Sequence, residues 1–348
     1  MKKIASLIYG LALVMGMPLL ISCSEDMEIG GGVSPSKEAF AFSINTDGAA
    51  SNDTDKGSAT RGAQATSATL ASGFGVSCSA YPSSGTYASF GHGNYFYNIQ
   101  AKPDTPTDYY WPEADFKVSF YAYYPHESST FTVQSSAEAK GRPTYAYTVP
   151  SAIASQLDIM TSEKLDVSCA TPSKVGLTFY HRLADIRFSC ENIGAESVTL
   201  KSVAINGLKY SGTLSGSNWT LTGSTNSSSV NPFVLSVEQP IAAGATIDVT
   251  GTANHFIMLP QIVASGTQIF DVYATVADEA QHFYYTLPSA LTLEAGKVYT
   301  FKLKLSDLLE VDENTDIQDW TEETDRTGIP TYQNNINTSI GIDGWESE

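Results

Sequence analysis

Apolar residues recur at every second position along most of the chain, in short runs broken by Gly, Ser, Asn and Pro. Alternation bounded by such residues predicts strands, because successive side chains of a strand point to opposite faces. "DFKVSFYAYYP" alternates through Phe116, Val118 and Phe120. "VGLTFYHRLADIRFSC" carries Leu177 and Phe179, then Ile186 and Phe188, which predicts two strands with a bend between them. "SVTLKSVAINGLKYSGTL" predicts two strands around Asn206-Gly207. Further strands are expected at "FVLSV", "TIDVTG", "HFIMLP", "QIFDVYATVA", "HFYYTLP" and "KVYTFKLKLS"; in the last, Val298, Phe301, Leu303 and Leu305 fall mostly on one face. A short helix is expected at "ASQLDIMTSEK", near residues 154–164. Short strands with polar turns indicate an all-β chain of β-sandwiches. A boundary near Pro172 gives two β-rich domains, residues 62–172 and 173–320.

Two end segments stand apart. In "EAFAFSIN", Phe40, Phe42 and Ile44 alternate cleanly, and a long tract of Gly, Ala, Ser, Thr and Asp follows. The chain after Trp320 is acidic and polar and ends "NNINTSIGIDGWESE", with Ile336, Thr338, Ile340 and Ile342 again at period two. Each segment predicts one strand tethered by a polar linker, and a strand with one apolar face must lie on a sheet to bury it.

The first residues, "MKKIASLIYGLALVMGMPLLISC", have a positive start, an apolar run from Ile4 to Ile21 and an abrupt end at Cys23. This is the pattern of a secretory signal, residues 1–22, and it takes no part in the fold. "LISC" resembles a bacterial lipobox, which implies acylation at Cys23, a palmitate-bearing anchor and a lipoprotein signal peptide. Several acyl chains hold a protein durably at a membrane where one does not. Ser24, Glu25, Asp26 and Glu28 then resemble the surface-export signal of Bacteroidetes lipoproteins.

The full chain has 19 basic and 37 acidic residues. Losing Lys2 and Lys3 with the signal leaves a balance of about −20, which excludes nucleic-acid binding by phosphate neutralisation. Beyond Cys23, only Cys78, Cys169 and Cys190 remain; they allow at most one disulfide, have no metal spacing and read as small buried thiols.

No enzyme constellation emerges. His92, His126, His181, His255 and His282 are scattered, with no paired metal spacing, and no nucleophile elbow, P-loop or dinucleotide fingerprint occurs. His181 reads as a packed histidine rather than a base. Asp312, Asn314, Asp316 and Glu323 fit four positions of a calcium loop, but Ile317 stands where the loop needs Gly. No metal or cofactor is therefore expected. The rings of "YYWP" and "FYAYYP" could form a glycan platform, but strand alternation places at least half of them in a core.

"DYYWPEADFKVSFYAYYP", "LDIMTSEK", "GLTFYHRLADIRFSCEN", "LEAGKVYTFKLKL" and "DIQDW" occur in an order that resembles Bacteroidetes fimbrillins, scattered over residues 39–320. The resemblance implies two transthyretin-like β-sandwich domains in tandem and assembly into type V pili. It implies an outer-membrane lipoprotein precursor that becomes a fimbrial subunit at the cell surface. A trypsin-like, arginine-specific protease would cut in the N-terminal linker and remove the lipid with the first strand. The C-terminal strand of a neighbouring subunit would fill the groove left behind. On this chain the cut falls at Arg61-Gly62 within "SATRGAQAT", the propeptide is residues 23–61, and the removable strand carries Phe40, Phe42 and Ile44. Residues 321–348 form the tail, whose Ile336, Thr338, Ile340 and Ile342 would be the donor strand. A lysine-preferring protease would cut at Lys56 instead. The expected partners are other fimbrial subunits, the protease, the outer membrane before processing, and host or bacterial surface ligands. The alternative reading is an anchored glycan-binding lipoprotein.

Overall fold

The computed structural model describes residues 38–46, 65–85, 95–126, 128–134, 141–306, 308–312 and 315–320. Its first half comprises β1 (Phe42–Thr46), a one-turn helix α1 (Ser67–Leu70), β2 (Phe74–Pro82), β3 (Phe96–Ala101), β4 (Phe116–Tyr124), β5 (Phe131–Gln134) and β6 (Thr144–Thr148). β7 (Met160–Ser168), β8 (Val175–His181), β9 (Ala184–Asn192), β10 (Val198–Ile205), β11 (Lys209–Ser215) and β12 (Asn218–Thr225) follow. Next come β13 (Phe233–Ile241), β14 (Thr246–Asp248), β15 (Phe256–Met258), β16 (Gln261–Val263) and β17 (Gln268–Val276). The chain closes with β18 (Glu279–Thr286), β19 (Leu291–Leu293), β20 (Lys297–Leu305), β21 (Leu309–Val311) and β22 (Asp316–Asp319). The fold is all-β, as the alternation predicts.

Most strands belong to four sheets. The first has the order β1-β8-β7-β4-β2-β3, the second β13-β10-β17-β18 and the third β12-β11-β6-β5. A fourth is built on β9 and β20, which run parallel, with β14 and β15 beyond β9 and β21 and β22 beyond β20. Sheet membership does not follow chain order at Pro172. β8, beyond it, joins the first sheet, while β5 and β6, before it, join β11 and β12. Likewise, the two strands around Asn206-Gly207 do not pair with each other: β10 lies between β13 and β17, and β11 between β12 and β6. Gly207 has φ +73°, and a Cβ there would press on the Thr267 side chain, so the chain turns between sheets at a position suited to glycine.

Two apolar cores form. The first gathers Phe40, Phe42, Phe74, Phe96, Trp111, Phe120 and Phe179 around the first sheet. The second gathers Phe188, Phe256, Phe270 and Phe301 around the other sheets. β4 serves both. Phe120 lies in the first core, while Tyr123 packs on Phe131 and Tyr145 in the second, with ring centroids 5.7 and 5.1 Å away. That double duty explains why Val118 to Tyr123 are buried without interruption. Gly75 of β2 admits the Tyr123 ring; a Cβ there would lie 2.2 Å from it.

The helix expected near residues 154–164 is replaced by a single 3-10 turn at Ile153–Ser155 and then by β7. Pairing with β4, from Tyr124 opposite Met160 to Lys117 opposite Ser168, outweighs the local helical spacing.

Candidate functional site

The segment "EAFAFSIN" is inserted between two backbones. On one side β1 runs parallel to β8, with Phe42 opposite Val175 and Thr46 opposite Phe179, and the Val175 N–H donates to the Ala41 carbonyl at 2.9 Å. On the other side lies the stretch that follows β3. The Phe40 N–H donates to the Tyr109 carbonyl at 2.8 Å, and the Thr107 N–H returns a bond of 2.8 Å to the Phe40 carbonyl. The Asp104 N–H bonds the Phe42 carbonyl at 2.7 Å, and the Trp111 N–H the Glu38 carbonyl at 3.1 Å. The first strand of the sheet thus meets the continuation of its last strand, and β1 closes the gap.

Period two aims alternate side chains inward. Phe40 and Phe42 are completely buried, and the half-buried Ile44 packs on the same core. Phe40 touches Trp111 and Phe120, at centroid distances of 4.8 and 5.1 Å, and Phe42 packs against Phe120 at 5.4 Å and Phe74 at 6.0 Å. Full burial of each phenylalanine is worth about 1.5–3 kcal/mol, which adds to the backbone bonds that hold β1 in its seat.

Ala65, just ahead of α1, is fixed. The Ala65 N–H donates 2.7 Å to Asp158 Oδ2, Thr66 caps α1 through a reciprocal bond with Thr69, and Leu70 is buried. Asp158 also bonds His181 Nδ1 at 2.9 Å, and both side chains are buried. The His181 ring stacks on Trp320, 4.4 Å away and 5° from parallel. One buried pair therefore joins the residues ahead of α1, the end of β8 and Trp320. His181 is a packed structural residue. This anchor has no signature in the sequence beyond three polar or aromatic residues in separate segments, and the seat of β1 could be sought only through the strand's own alternation.

Cys23, Arg61, Gly62 and the tail residues Ile336, Thr338, Ile340 and Ile342 lie outside the described residues, as do Asn314 and Glu323. Asp312 pairs with Lys304 at 3.1 Å, and Asp316 lies in β22. Cys78, Cys169 and Cys190 are free and buried; burial pushes the Cys78 thiol up and the other two up to about 12, so none is a ready thiolate. Of the aromatic run, Trp111, Phe120, Tyr121 and Tyr123 are buried, while Tyr109 and Tyr110 are exposed. Among the described residues no group of His, Cys, Asp and Glu is placed to hold a metal ion, and no helix is long and apolar enough to cross a membrane.

These features define a β-sandwich protein whose first strand is seated in a gap between two backbones. The chain belongs to the fimbrillin-like family, whose model matches residues 60–320. Its fold is similar to that of a candidate cell adhesion protein of Bacteroides ovatus, at 15% identity and a TM-score of 0.50 over 82% of this chain and 99% of that one. A candidate cell adhesion protein of Bacteroides uniformis is similar at 20% identity and a TM-score of 0.43, over 72% and 92% of the two chains. The tip fimbrial protein Mfa3 of Porphyromonas gingivalis, with C-terminal truncation, matches at 12% identity and a TM-score of 0.31, over 71% and 94%. No curated protein matches the chain.

Proposed function

We propose that the chain is a structural and adhesive subunit of a cell-surface fimbria, made as an outer-membrane lipoprotein through Cys23 and matured by a cut at Arg61-Gly62. The observation that carries this reading is the seat of β1. The strand is held by a parallel ladder, by bonds to residues 103–111 and by two buried rings, and its covalent tie to the body passes through the linker that contains Arg61. A cut there leaves Gly62, Ala63 and Gln64 ahead of the anchored Ala65, so the body keeps its own first bond. Linkers of small and polar residues, such as the sequence shows around Arg61, are where nicking concentrates. The family match, which begins at residue 60 and omits β1, accords with this division.

Departure of β1 would bare the edges of β8 and of residues 103–111, together with the rings of Trp111, Phe120 and Phe74. Such an edge is a template for strand addition. Ile336, Thr338, Ile340 and Ile342 repeat the period of Phe40, Phe42 and Ile44, which suits the tail of another subunit to the same gap. The mechanism is unmasking by an arginine-specific protease, then polymerisation by donor-strand exchange, with no enzymatic step performed by the chain itself.

Mass spectrometry of the protein's N-terminus, taken from the native cell surface, tests this. A chain beginning at Gly62 is expected; one beginning at acylated Cys23 would leave β1 in place and return the protein to the anchored glycan-binding reading. Arg61→Ala should block polymer formation, and removal of residues 332–348 should abolish donation. Polymers in both variants would overturn the model.

A further inference from the structure

The second sheet, β13-β10-β17-β18, turns Phe233, Val203, Phe270 and Val272 into the core and leaves Ser236, Tyr273 and His282 exposed on its opposite face. The register across that face places Ser236, Ser202, Tyr273 and His282 in one row, one residue from each strand. Tyr273 is 44% exposed, and its ring stacks on His282 at 4.1 Å, 5° from parallel. One face of the tyrosine is therefore backed by the imidazole, and the two positions beyond Tyr273 in the row are small serines. In the adjacent row Asp271, although buried, accepts bonds from Asn206 Nδ2 at 2.7 Å and Gln268 Nε2 at 2.6 Å.

A rigid exposed ring beside hydroxyls, a carboxylate and amides has a definite chemistry. The C–H face of a pyranose packs on an aromatic ring, and its hydroxyls take hydrogen bonds from neighbouring polar groups. The charge on this face decides between ligands. Asp271 disfavours an anion, and Lys201, the lysine of β10, is already paired with Glu238 at 2.8 Å. Both Asp271 oxygens already accept amide hydrogens and Oδ1 lies 3.8 Å from His282 Nε2, so the carboxylate orients Asn206 and Gln268 and faces the imidazole rather than offering an open charge to a cation. An uncharged ligand remains. Whereas the buried Asp271–Asn206 bond helps to hold the sheet, the exposed tyrosine–histidine stack adds little to a core that it does not touch.

We infer that this outer face is a binding surface for neutral carbohydrate, with Tyr273 as the stacking wall, His282 as its brace and Ser202 and Ser236 as the floor. The surface belongs to the single chain and does not depend on how β1 is processed. The test is a printed array of neutral and anionic glycans probed with the uncut full chain and with Tyr273→Ala and Tyr273→Phe. Neutral glycans should bind, the alanine variant should lose about tenfold or more of the affinity, and the phenylalanine variant should keep most of it. Anionic glycans should not bind, and thermal unfolding of all three proteins should coincide. Absence of neutral-glycan binding, or binding unchanged in Tyr273→Ala, overturns the assignment. So does a Tyr273→Ala chain that binds glycans normally but fails to assemble, which would make the face a contact between subunits.

Discussion

Two strands of this chain pair in parallel with distant neighbours, and their situations are opposite. β20 runs beside β9 and is covered on its other side by β21 and β22, with the chain continuing into structure at both ends. β1 runs beside β8, and its other flank is a stretch of irregular backbone. A parallel pair cannot be joined by a hairpin, so each strand is kept in place by its ladder and its side chains. For β20 the antiparallel neighbours add a second hold. For β1 the covalent hold is the linker alone on the body side. The same type of pairing is thus flanked by sheet strands in one core and by irregular backbone in the other, and a cut in the linker would leave β1, unlike β20, without a covalent tie to the body, so the difference lies in connectivity rather than in burial.

The large rings distinguish β1 from the β9–β20 core most strongly. Phe42→Ala and Phe188→Ala each remove a fully buried ring, so each should cost the intact chain about 3–5 kcal/mol in urea unfolding. After a cut at Arg61 and separation of the released piece, the Phe188→Ala penalty should persist, and Phe42→Ala should match the cut wild type. If Phe42→Ala still differs from it, β1 has not left.

A buried ion cluster sharpens the contrast from the β9 side. Asp185 accepts 2.8 and 2.7 Å bonds from Arg187 and lies 3.1 Å from His255 Nδ1. Burial pushes its carboxyl up, but the His255 contact and the Arg187 guanidinium outweigh this and hold it below the usual range. A lowered carboxylate stabilises the fold above the unfolded-state value of about 3.9 and loses that contribution as pH falls through the folded one. Stability should therefore fall steeply below about pH 4, equally in cut and uncut protein. Asp185→Asn should flatten that acid limb and cost about 3–5 kcal/mol at neutral pH, because it removes the buried charge that Arg187 and His255 face. An acid limb that disappears on cutting would mean that the two cores are not independent.

Asp158→Ala acts on the anchor between them. It strands the Ala65 N–H and His181, at about 1–3 kcal/mol for each orphaned group. Unlike Phe42→Ala, it should keep this cost after the cut, since Ala65 stays with the body. Hydrogen exchange at Ala65 would report it, and unchanged protection there would show that Asp158 does not hold the new start of the chain.

The alternation of Phe40, Phe42 and Ile44 made β1 readable, because a period-two pattern depends only on neighbours in sequence. Its seat was not readable. The bonds to Thr107 and Tyr109 come from a stretch without alternation, and the pairing with β8 joins residues far apart along the chain. The same limit hides the partition of β10 and β11 into different sheets, and it misled the reading of residues 154–164, where pairing with β4 decided the conformation. The row of Ser236, Ser202, Tyr273 and His282 is likewise a property of register across four strands, each of which reads as an ordinary half-buried strand.

The smallest expected effect tests the seat most finely. Lys174, immediately before Val175, bonds Asp104 at 2.6 Å. Val175 pairs with Phe42, and the Asp104 N–H bonds the Phe42 carbonyl, so the ion pair ties together the two backbones that flank β1 at the level of its central ring. Both side chains are exposed, and such a pair is worth at most about 1 kcal/mol, less in high salt. Lys174→Ala should leave unfolding of the intact chain nearly unchanged yet speed release of β1 after the cut, because separation of the flanks is the motion that release requires. Trp111, buried against Phe40, provides the signal through its fluorescence as the strand departs. The acceleration should shrink as salt approaches about 1 M, where charges are screened within about 3 Å. Release at the wild-type rate in low salt would mean that the flanks do not part, and that β1 slides out lengthwise past Phe74 and Phe120 with only its rings resisting.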